Sequence, residues 1–281
     1  MVLLFVFCYI PMYGIVIAFQ DYVPGSPFIG EGVKWVGLQY ITRFVQGEYF
    51  WRLIRNTLVL SGLNLAFGFT LPILFALLLD QVRSLNFRKF VQTASYMPYF
   101  ISMVVVAGMV NSFIETNGII TNILTHFGLP RMNYRLSKAA FPAIYTITNI
   151  WKGFGFGSIL YFATITSIDQ GLYESAKIDG ANRFQQMLYI TLPGIQRIIA
   201  INLIMAVGGI LGANSELILL IYHSATYEVA DVIGTYVYRL GIVGGEYSYT
   251  TAVGLFMALI GFLLTFTANK VSNKLTDYGL W

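Results

Sequence analysis

Charged residues are scarce in this chain of 281 residues, and cysteine and histidine are almost missing. Only 11% of positions carry a charge, against roughly 25% in a typical soluble domain, and 57% are hydrophobic. A soluble protein of this size cannot bury so much apolar surface, so the chain must use lipid as part of its surroundings. The composition therefore predicts an integral membrane protein with a single domain, residues 1–281.

The single cysteine, Cys8, and the two histidines, His126 and His223, exclude several kinds of site. One cysteine cannot form a disulfide within the chain or a cysteine-based metal site. Both histidines fall in predicted loops, so a histidine-based metal centre is not expected. The chain also lacks a Walker-type glycine-rich loop, so neither ATP nor magnesium is expected to bind to it. The net charge of +4 is modest and gives no indication of nucleic acid binding.

Six stretches are long and apolar enough to cross a membrane as helices, which takes about 20 residues for a hydrocarbon core about 30 Å thick. They are 1–19, 56–79, a stretch within 90–114 that starts near Pro98, 139–168, 198–222 and 247–269. The first stretch lacks the basic leading region and small-residue cleavage site of a signal peptide, so it is expected to remain as a span. The predicted fold class is an all-α integral membrane protein with six transmembrane helices and both termini on one side.

The connecting segments then alternate between the two faces of the membrane. One set comprises 80–89, 169–197 and the tail from Lys270, and the other comprises 21–55, 115–138 and 228–246. Each set carries eight Lys and Arg residues, which together with Lys152 make up the 17 in the chain. The excess of basic residues that marks cytosolic loops therefore does not choose between the sets. The cluster Arg83, Arg88 and Lys89 in a short loop favours the first set as cytosolic.

The segment 169–193, named here the charged segment, is short and polar between two long apolar stretches. Asp169 is a good N-cap for a first helix, and Gly180 supplies the permissive backbone that ends it. A second amphipathic helix is predicted at about 182–189, and Pro193 lies where the next span can begin. From these residues alone, a connector that covers lipid headgroups is the simpler interpretation.

The charged segment also resembles a known family signature. Glu174-Ser175-Ala176, then Gly180, then Ile190-x-Leu192-Pro193 resembles the EAA…G…I-LP signature of the membrane subunits of binding-protein-dependent ABC importers. Ser175 stands where the family usually has Ala. Asp179-Gly180-Ala181 and Ile190-Thr191-Leu192-Pro193 resemble the version found in the maltose-type carbohydrate permeases. Matches outside the signature resemble the branch that imports oligosaccharides and polysaccharide fragments. They are residues 9–14 with Ala18-Phe19, Arg55-Asn56-Thr57-Leu58, Tyr96-Met97-Pro98, Trp151-Lys152-Gly153 and Gly279-Leu280-Trp281.

This resemblance covers essentially the whole chain and implies a type I ABC importer permease, in which the charged segment is a cytosolic coupling helix between the fourth and fifth spans. ATP hydrolysis would belong to partner subunits, so the chain is not expected to be an enzyme. The residues implied in ATPase coupling are Glu174, Ser175, Ala176, Asp179, Gly180 and Ala181. The implied partners are a second homologous permease subunit, two cytosolic ATPase subunits that bind ATP and magnesium, and an extracytoplasmic sugar-binding protein. The implied location is a bacterial cytoplasmic membrane, with both termini in the cytosol.

Polar residues inside the spans indicate where a solute could pass, because they are costly in lipid and face a cavity or a neighbour. Amides, carboxylates and aromatic rings bind sugars, and in the maltose-type family the fourth and fifth spans line the path. The candidates are Trp151, Lys152, Tyr161, Asn202, Asn214, Ser215 and Glu216. Two alternatives are open for Lys152 and Glu216: they pair, or Lys152 extends to the membrane surface while Glu216 meets water or another subunit.

Two other functions are weighed against a sugar permease. A permease for amino acids, phosphate or metals would share the signature, but the maltose-like residues favour a sugar. A membrane-embedded enzyme would need a nucleophile with a base, or a pair of carboxylates, at membrane depth. Glu216 is the single carboxylate within a predicted span and no histidine lies in one, so the enzyme hypothesis is weak.

Overall fold

The computed structural model describes residues 2–276 and 278–281, and these residues are overwhelmingly helical. Met1, the first residue of the first predicted span, lies outside the described residues. No β-strand forms within the described part of the chain, where one isolated bridge joins Gln20 to Trp35. The predicted all-α fold class is confirmed.

Among the described residues, four helical stretches are long and apolar enough to cross a membrane: Val2–Phe19, Phe50–Asp80, Tyr247–Thr276 and Met103–His126, which comprises the helices Met103–Ile114 and Ile119–His126. A fifth span results if Arg183–Gly194 and Gln196–Gly208, which are bent by 58° relative to each other, are counted together. The helix Phe141–Thr166, named here the central helix, has 26 residues. At 1.5 Å per residue it is about 39 Å long, enough to cross the bilayer, but its polar residues keep it outside the strongly apolar set.

The stretch 90–114, in which the third span was predicted to start near Pro98, is broken close to that residue. The helix Leu85–Tyr96 passes into a 3-10 turn, Met97–Phe100, and a new helix, Met103–Ile114, begins only after an extended residue at Ile101. Pro98 lies in the first turn of the 3-10 segment, where its missing N–H removes a helical hydrogen bond.

The fifth predicted span is also interrupted, so the prediction of one helix over 198–222 is wrong. The helix Gln196–Gly208 ends at Gly209, and the short helix Ser215–Ile221 begins after the irregular stretch 209–214. Glycines at 208, 209 and 212 raise the entropic cost of a continuous helix there.

Shorter helices complete the chain. They are Gln39–Val45, Ile119–His126, Gln170–Ile178, Arg183–Gln186, Tyr227–Ala230 and Ile233–Val237, with a π-helical turn at Tyr238–Val243. Three hydrophobic clusters hold the elements together, and the central helix contributes to two of them, through Phe141 and Tyr145 in one and Tyr161 and Ile165 in the other.

Contacts join several loops that were predicted to share a face. On one face, Arg43 pairs with Glu246 at 2.9 Å, and the Tyr22 N–H donates to Ser248 Oγ at 2.9 Å. On the other, Arg183 donates to the Gln81 carbonyl oxygen at 3.3 Å. All five ion pairs within the described residues lie on the first face, formed by 21–55, 115–138 and 228–246 and named here the ion-pair face. The second is named the charged-segment face.

Close packing of the central helix leads to a first prediction. A Cβ atom added at Gly155 would overlap the Ser95 carbonyl oxygen, whereas one added at Gly153 would meet no atom within 4 Å. We expect Gly155→Ala to lower the free energy of unfolding by about 1–3 kcal/mol, because overpacking forces the backbone apart. Gly153→Ala is the matched control. Thermal unfolding of the purified protein in detergent measures both, and equal midpoints would contradict the close contact.

Candidate functional site

The charged segment folds as two short helices with strong caps. Gln170–Ile178 begins at Asp169, whose side chain accepts a hydrogen bond at 3.0 Å from the N–H two residues on, as the sequence predicts. The second helix begins at Asn182, which accepts from the Gln185 N–H at 2.9 Å while the Gln185 side chain accepts from the Asn182 N–H at 2.8 Å. This reciprocal capping fixes the start of Arg183–Gln186.

Gly180 makes the turn between these two helices. Its φ of +81° lies in the left-handed region, where a side chain would be strained. The Gly180 N–H donates to the Lys177 carbonyl oxygen at 3.1 Å, and the Ala181 N–H donates to the Ala176 carbonyl oxygen at 2.9 Å. This pair of bonds is the Schellman motif, so the prediction that Gly180 ends the first helix is confirmed.

The six residues predicted for coupling lie together on this turn and the helix before it. Glu174, Ser175, Asp179 and Gly180 are exposed, and Ala176 and Ala181 are half-buried. Ser175 Oγ donates to the carbonyl oxygen one turn earlier, at 2.9 Å. Within the part of the chain that the structure describes, Glu174 has no ion-pair partner. Its carboxylate is therefore available to a group outside this chain.

Large apolar side chains around the turn extend the surface beyond the predicted residues. Ile178 is 87% exposed, Phe184 66% and Tyr189 73%. Ile178 was not among the predicted site residues, although an apolar residue at the end of an otherwise polar helix was a usable signal. A group of exposed apolar side chains on a polar segment marks a surface for contact with another molecule.

Lys152 does not pair with Glu216, so the ion-pair alternative is wrong. Its Nζ donates to the Tyr99 carbonyl oxygen at 2.8 Å and to the Ile101 carbonyl oxygen, at the break that follows Met97–Phe100. Carbonyl groups at a helix end lack helical partners, and a cation satisfies several of them at once. Glu216 is exposed and forms no ion pair with any described residue.

The second break, 209–214, is held by hydrogen bonds to the central helix, which also carries Lys152. Asn214 donates from its backbone N–H to the Tyr145 hydroxyl at 2.9 Å and from Nδ2 to Asn149 Oδ1 at 2.9 Å. Its Oδ1 caps the next helix by accepting from the Leu217 N–H at 3.2 Å. Tyr145 and Asn149 were missed, although with Lys152 they follow i, i+4, i+7 spacing, which places them on one face of a helix.

The other path candidates lie in different surroundings. Trp151 lines an apolar cavity of about 500 Å³ between the central helix and Met103–Ile114. Tyr161 is buried in a hydrophobic cluster, and Asn202 is half-buried near its hydroxyl. Ser215 is half-buried against the backbone of Gly234. The structure thus brings Lys152, Asn214, Ser215 and Glu216 to the two breaks, while Trp151 and Tyr161 lie elsewhere.

The contacts of Lys152 give a second prediction. Lys152→Met leaves the carbonyl oxygens at the break without a donor, which costs about 1–3 kcal/mol of folding free energy. Since Glu216 is not its partner, the double variant with Glu216→Gln is expected to be additive within about 0.5 kcal/mol. Thermal or denaturant unfolding of the wild type, both single variants and the double variant measures the coupling. A coupling energy well above that range would mean that Lys152 and Glu216 do form an ion pair.

A buried ion cluster on the ion-pair face was also missed. Asp231 is fully buried and accepts hydrogen bonds from Arg239 at 2.8 and 3.1 Å and from Thr235 Oγ1 at 2.8 Å. Arg52 Nη2 lies 3.4 Å from the same carboxylate, and Asn56 donates to the Asp231 carbonyl oxygen at 2.9 Å. Hydrogen bonding to Asp231 raises the pKa of Arg239. Asp231 falls in a predicted loop, where a carboxylate is expected to face water.

Comparison with known proteins places these features in a family. The family described as "Binding-protein-dependent transport system inner membrane component" matches residues 68–277. The chain is 43% identical to the polygalacturonan/rhamnogalacturonan transport system permease protein YteP of Bacillus subtilis, over 98% of this chain and 85% of the relative. It is 38% identical to Protein LplB of the same organism, over 98% of this chain and 86% of the relative.

Solved structures agree with the sequence relatives. A bacterial ABC transporter involved in the import of the acidic polysaccharide alginate contains a chain that superposes with a TM-score of 0.88 at 43% identity, covering 98% of this chain and 92% of the other. A bacterial alginate ABC transporter in complex with an alginate pentasaccharide-bound periplasmic protein gives a TM-score of 0.89 at 43% identity, covering 99% and 93%. The fold is therefore that of a type I ABC importer permease.

The matched family is one of transport permeases, so the membrane-embedded enzyme alternative is set aside. The helices, the signature on the charged segment and the sugar-transporting relatives lead to one conclusion. The chain belongs to the binding-protein-dependent transport system inner membrane components and is the permease subunit of a sugar ABC importer.

Proposed function

We propose that the charged segment docks on a cytosolic ATPase subunit and transmits its closure to the membrane helices. The observation that carries this proposal is the exposure of Ile178, Phe184 and Tyr189 around the hydrogen-bonded Gly180 turn. Such side chains stabilise a complex when they enter a partner's groove, and Glu174 can pair with a base at its edge.

Unpaired positive charge on the charged-segment face supports the docking of a protein partner there. A cavity of about 410 Å³ behind the charged segment is lined by Arg83, Arg88, Lys177 and Arg183, with Asp80 among them. Within the described residues none of these four cations forms an ion pair. We place this face, and with it both termini, in the cytosol of the bacterial cell. Carboxylates of the partner would then meet unpaired cations here.

The chain is proposed to cross the membrane six times. The central helix supplies the fourth crossing, and Gln196–Gly208 with Ser215–Ile221 after the break supplies the fifth, beside the apolar helices. The two broken stretches, 97–102 and 209–214, lie beside the central helix, which supplies their hydrogen bonds. Irregular backbone is tolerated at membrane depth only where protein buries it or it lines a water-filled cavity. We therefore propose that the solute path runs along this side of the central helix, past Asn214 and Glu216.

The transported solute is proposed to be an oligosaccharide. Two matches that are 43% identical are named for polygalacturonan and rhamnogalacturonan and for alginate, which are polysaccharides. A second, homologous permease subunit would complete the path. Two ATPase subunits would hold ATP and magnesium, and a sugar-binding protein would deliver the solute to the ion-pair face. Rigid-body movement of the two permease halves would expose the path to one side at a time.

Labelling from one side of the membrane tests this arrangement. With Cys8 replaced by serine, Ile178→Cys is expected to react with an impermeant maleimide only in inside-out vesicles. Phe127→Cys, which is 77% exposed on the ion-pair face, is expected to react only in right-side-out vesicles. Addition of the ATPase subunits should protect position 178 and leave position 127 reactive. Labelling in the reverse pattern, or no protection, would contradict the proposal.

A further inference from the structure

An open cavity of about 510 Å³ on the ion-pair face is lined by arginine and tyrosine side chains. They are Arg43, Arg52, Arg239, Tyr49, Tyr227 and Tyr236. The cavity combines segments that are far apart in sequence, the loop 21–55 and the stretch 227–246. Nothing in the coupling or path proposals uses it.

One positive charge in this cavity is uncompensated. Three guanidinium groups meet two carboxylates, Glu246 and the buried Asp231, so three minus two leaves one. Arg43 pairs with Glu246 at 2.9 Å, and Arg239 forms the short contact with Asp231 at 2.8 Å. Arg52 makes only a longer contact with Asp231, at 3.4 Å. The free charge therefore belongs mainly to Arg52.

Arg52 also has unused hydrogen-bond donors. Its Nε is buried and has no hydrogen-bond partner among the described residues, and its side chain is 31% exposed. That nitrogen is closed off from the cavity, whereas Nη1 makes no hydrogen bond to any described residue and is the donor open to a ligand. A guanidinium presents its donors as a planar fork that matches the two oxygens of a carboxylate.

The tyrosine rings give the cavity a second property. The Arg52 guanidinium lies 4.5 Å from the centre of the Tyr49 ring, and that of Arg239 lies 5.5 Å from Tyr227 and 5.9 Å from Tyr236. These cation–π contacts hold the guanidinium groups in place. The rings also offer an apolar body with a hydroxyl at the edge, which suits a sugar ring with its own hydroxyl groups.

We infer that this cavity binds a uronic acid residue of an acidic oligosaccharide, with the sugar carboxylate on Arg52 and the sugar ring against the tyrosines. The inference rests on the proposed function, which places the ion-pair face where the binding protein delivers its sugar. It adds a selective entry site for charged sugars at the mouth of the path. A neutral sugar would leave the Arg52 charge unmatched.

Direct titration tests the inference. The full complex of permease pair and ATPases, without binding protein, is titrated with trigalacturonate and with the neutral trisaccharide made by reducing its carboxyl groups. We expect the dissociation constant for trigalacturonate to be at least tenfold lower and to rise with salt concentration. Arg52→Gln should raise it about tenfold and leave neutral-sugar binding unchanged. Arg131→Gln, an exposed arginine on the same face outside the cavity, is the matched control and should behave like the wild type. Equal binding of the two sugars by the wild type, or unchanged binding in Arg52→Gln, overturns the inference.

A second measurement separates this inference from the proposed function. ATP hydrolysis by the wild-type complex is measured with its binding protein and a panel of acidic and neutral oligosaccharides. Hydrolysis that no sugar stimulates refutes the proposed function, whereas stimulated hydrolysis with unaltered titration of Arg52→Gln refutes the cavity alone. If Arg52→Gln weakens docking of the binding protein by the same factor with either class of sugar, the cavity accepts a protein carboxylate and the inference is wrong.

Discussion

Ile178→Asp is expected to weaken binding of the ATPase subunits to the permease at least 100-fold, which corresponds to about 2.7 kcal/mol. Ile178 is 87% exposed, so it adds little to the stability of this chain alone. In the complex its side chain would be buried in the partner, and a carboxylate there would be desolvated without a counter-charge. Exposed apolar anchors of this kind dominate binding at protein interfaces.

Purification of the complex and titration of ATPase subunits onto the permease in nanodiscs measure this effect. Phe127→Asp is the matched control, because Phe127 is similarly exposed at 77% but lies on the ion-pair face. The thermal stability of the isolated permease is expected to be the same for both variants. If Ile178→Asp binds the ATPase as tightly as the wild type, Ile178 is not part of the docking surface.

Asp231→Asn is expected to lower the free energy of unfolding by about 2–4 kcal/mol, because it removes a fully buried carboxylate that holds two guanidinium groups, each about a third exposed. The carboxylate is fully buried and receives both guanidinium donors of Arg239. An amide cannot balance that charge and presents donors where acceptors are needed. The loss would loosen the stretch 227–239 from the helix that begins at Phe50, to which Asn56 connects it.

Glu228→Gln provides the control for the buried cluster. Glu228 is exposed and pairs with Lys138, which lowers the pKa of its carboxyl group. Solvent screens exposed ion pairs and leaves them little effect on stability, so this variant should unfold close to the wild type. Chemical or thermal unfolding of both variants in the same detergent makes the comparison. Similar small losses for both would mean that Asp231 is solvated in solution.

The sequence predicted best those features that local signals determine. The Asp169 cap and the Gly180 turn depend on residues within a few positions of each other, and both were confirmed. Pro98 marked the break at 97–102, but the interruption at 209–214 was hidden because hydropathy is averaged over a whole span, and a few irregular residues do not change that average. The predicted spans are therefore longer than the observed helices and lack their breaks.

Partners of polar residues could not be predicted because they depend on tertiary contacts. Lys152 was considered as a partner for Glu216 since charges of opposite sign attract, yet backbone carbonyl oxygens at a helix break satisfy it. Every residue carries a carbonyl group, so no residue type signals such an acceptor. Likewise Asp231 meets Arg52 across 179 positions of sequence, a distance that no local pattern spans.

The central claim is that the charged segment couples ATP hydrolysis to sugar transport, and simultaneous measurement of both activities tests it most directly. Vesicles containing the full complex and its sugar-loaded binding protein are compared for the wild type, Gly180→Val and Glu174→Ala. The account predicts that sugar-stimulated hydrolysis and uptake occur together in the wild type. It predicts that Gly180→Val loses uptake, because a branched side chain is strained at a φ of +81° and the docking turn is displaced. Normal hydrolysis and normal uptake in both variants would reduce the charged segment to a connector and contradict the account.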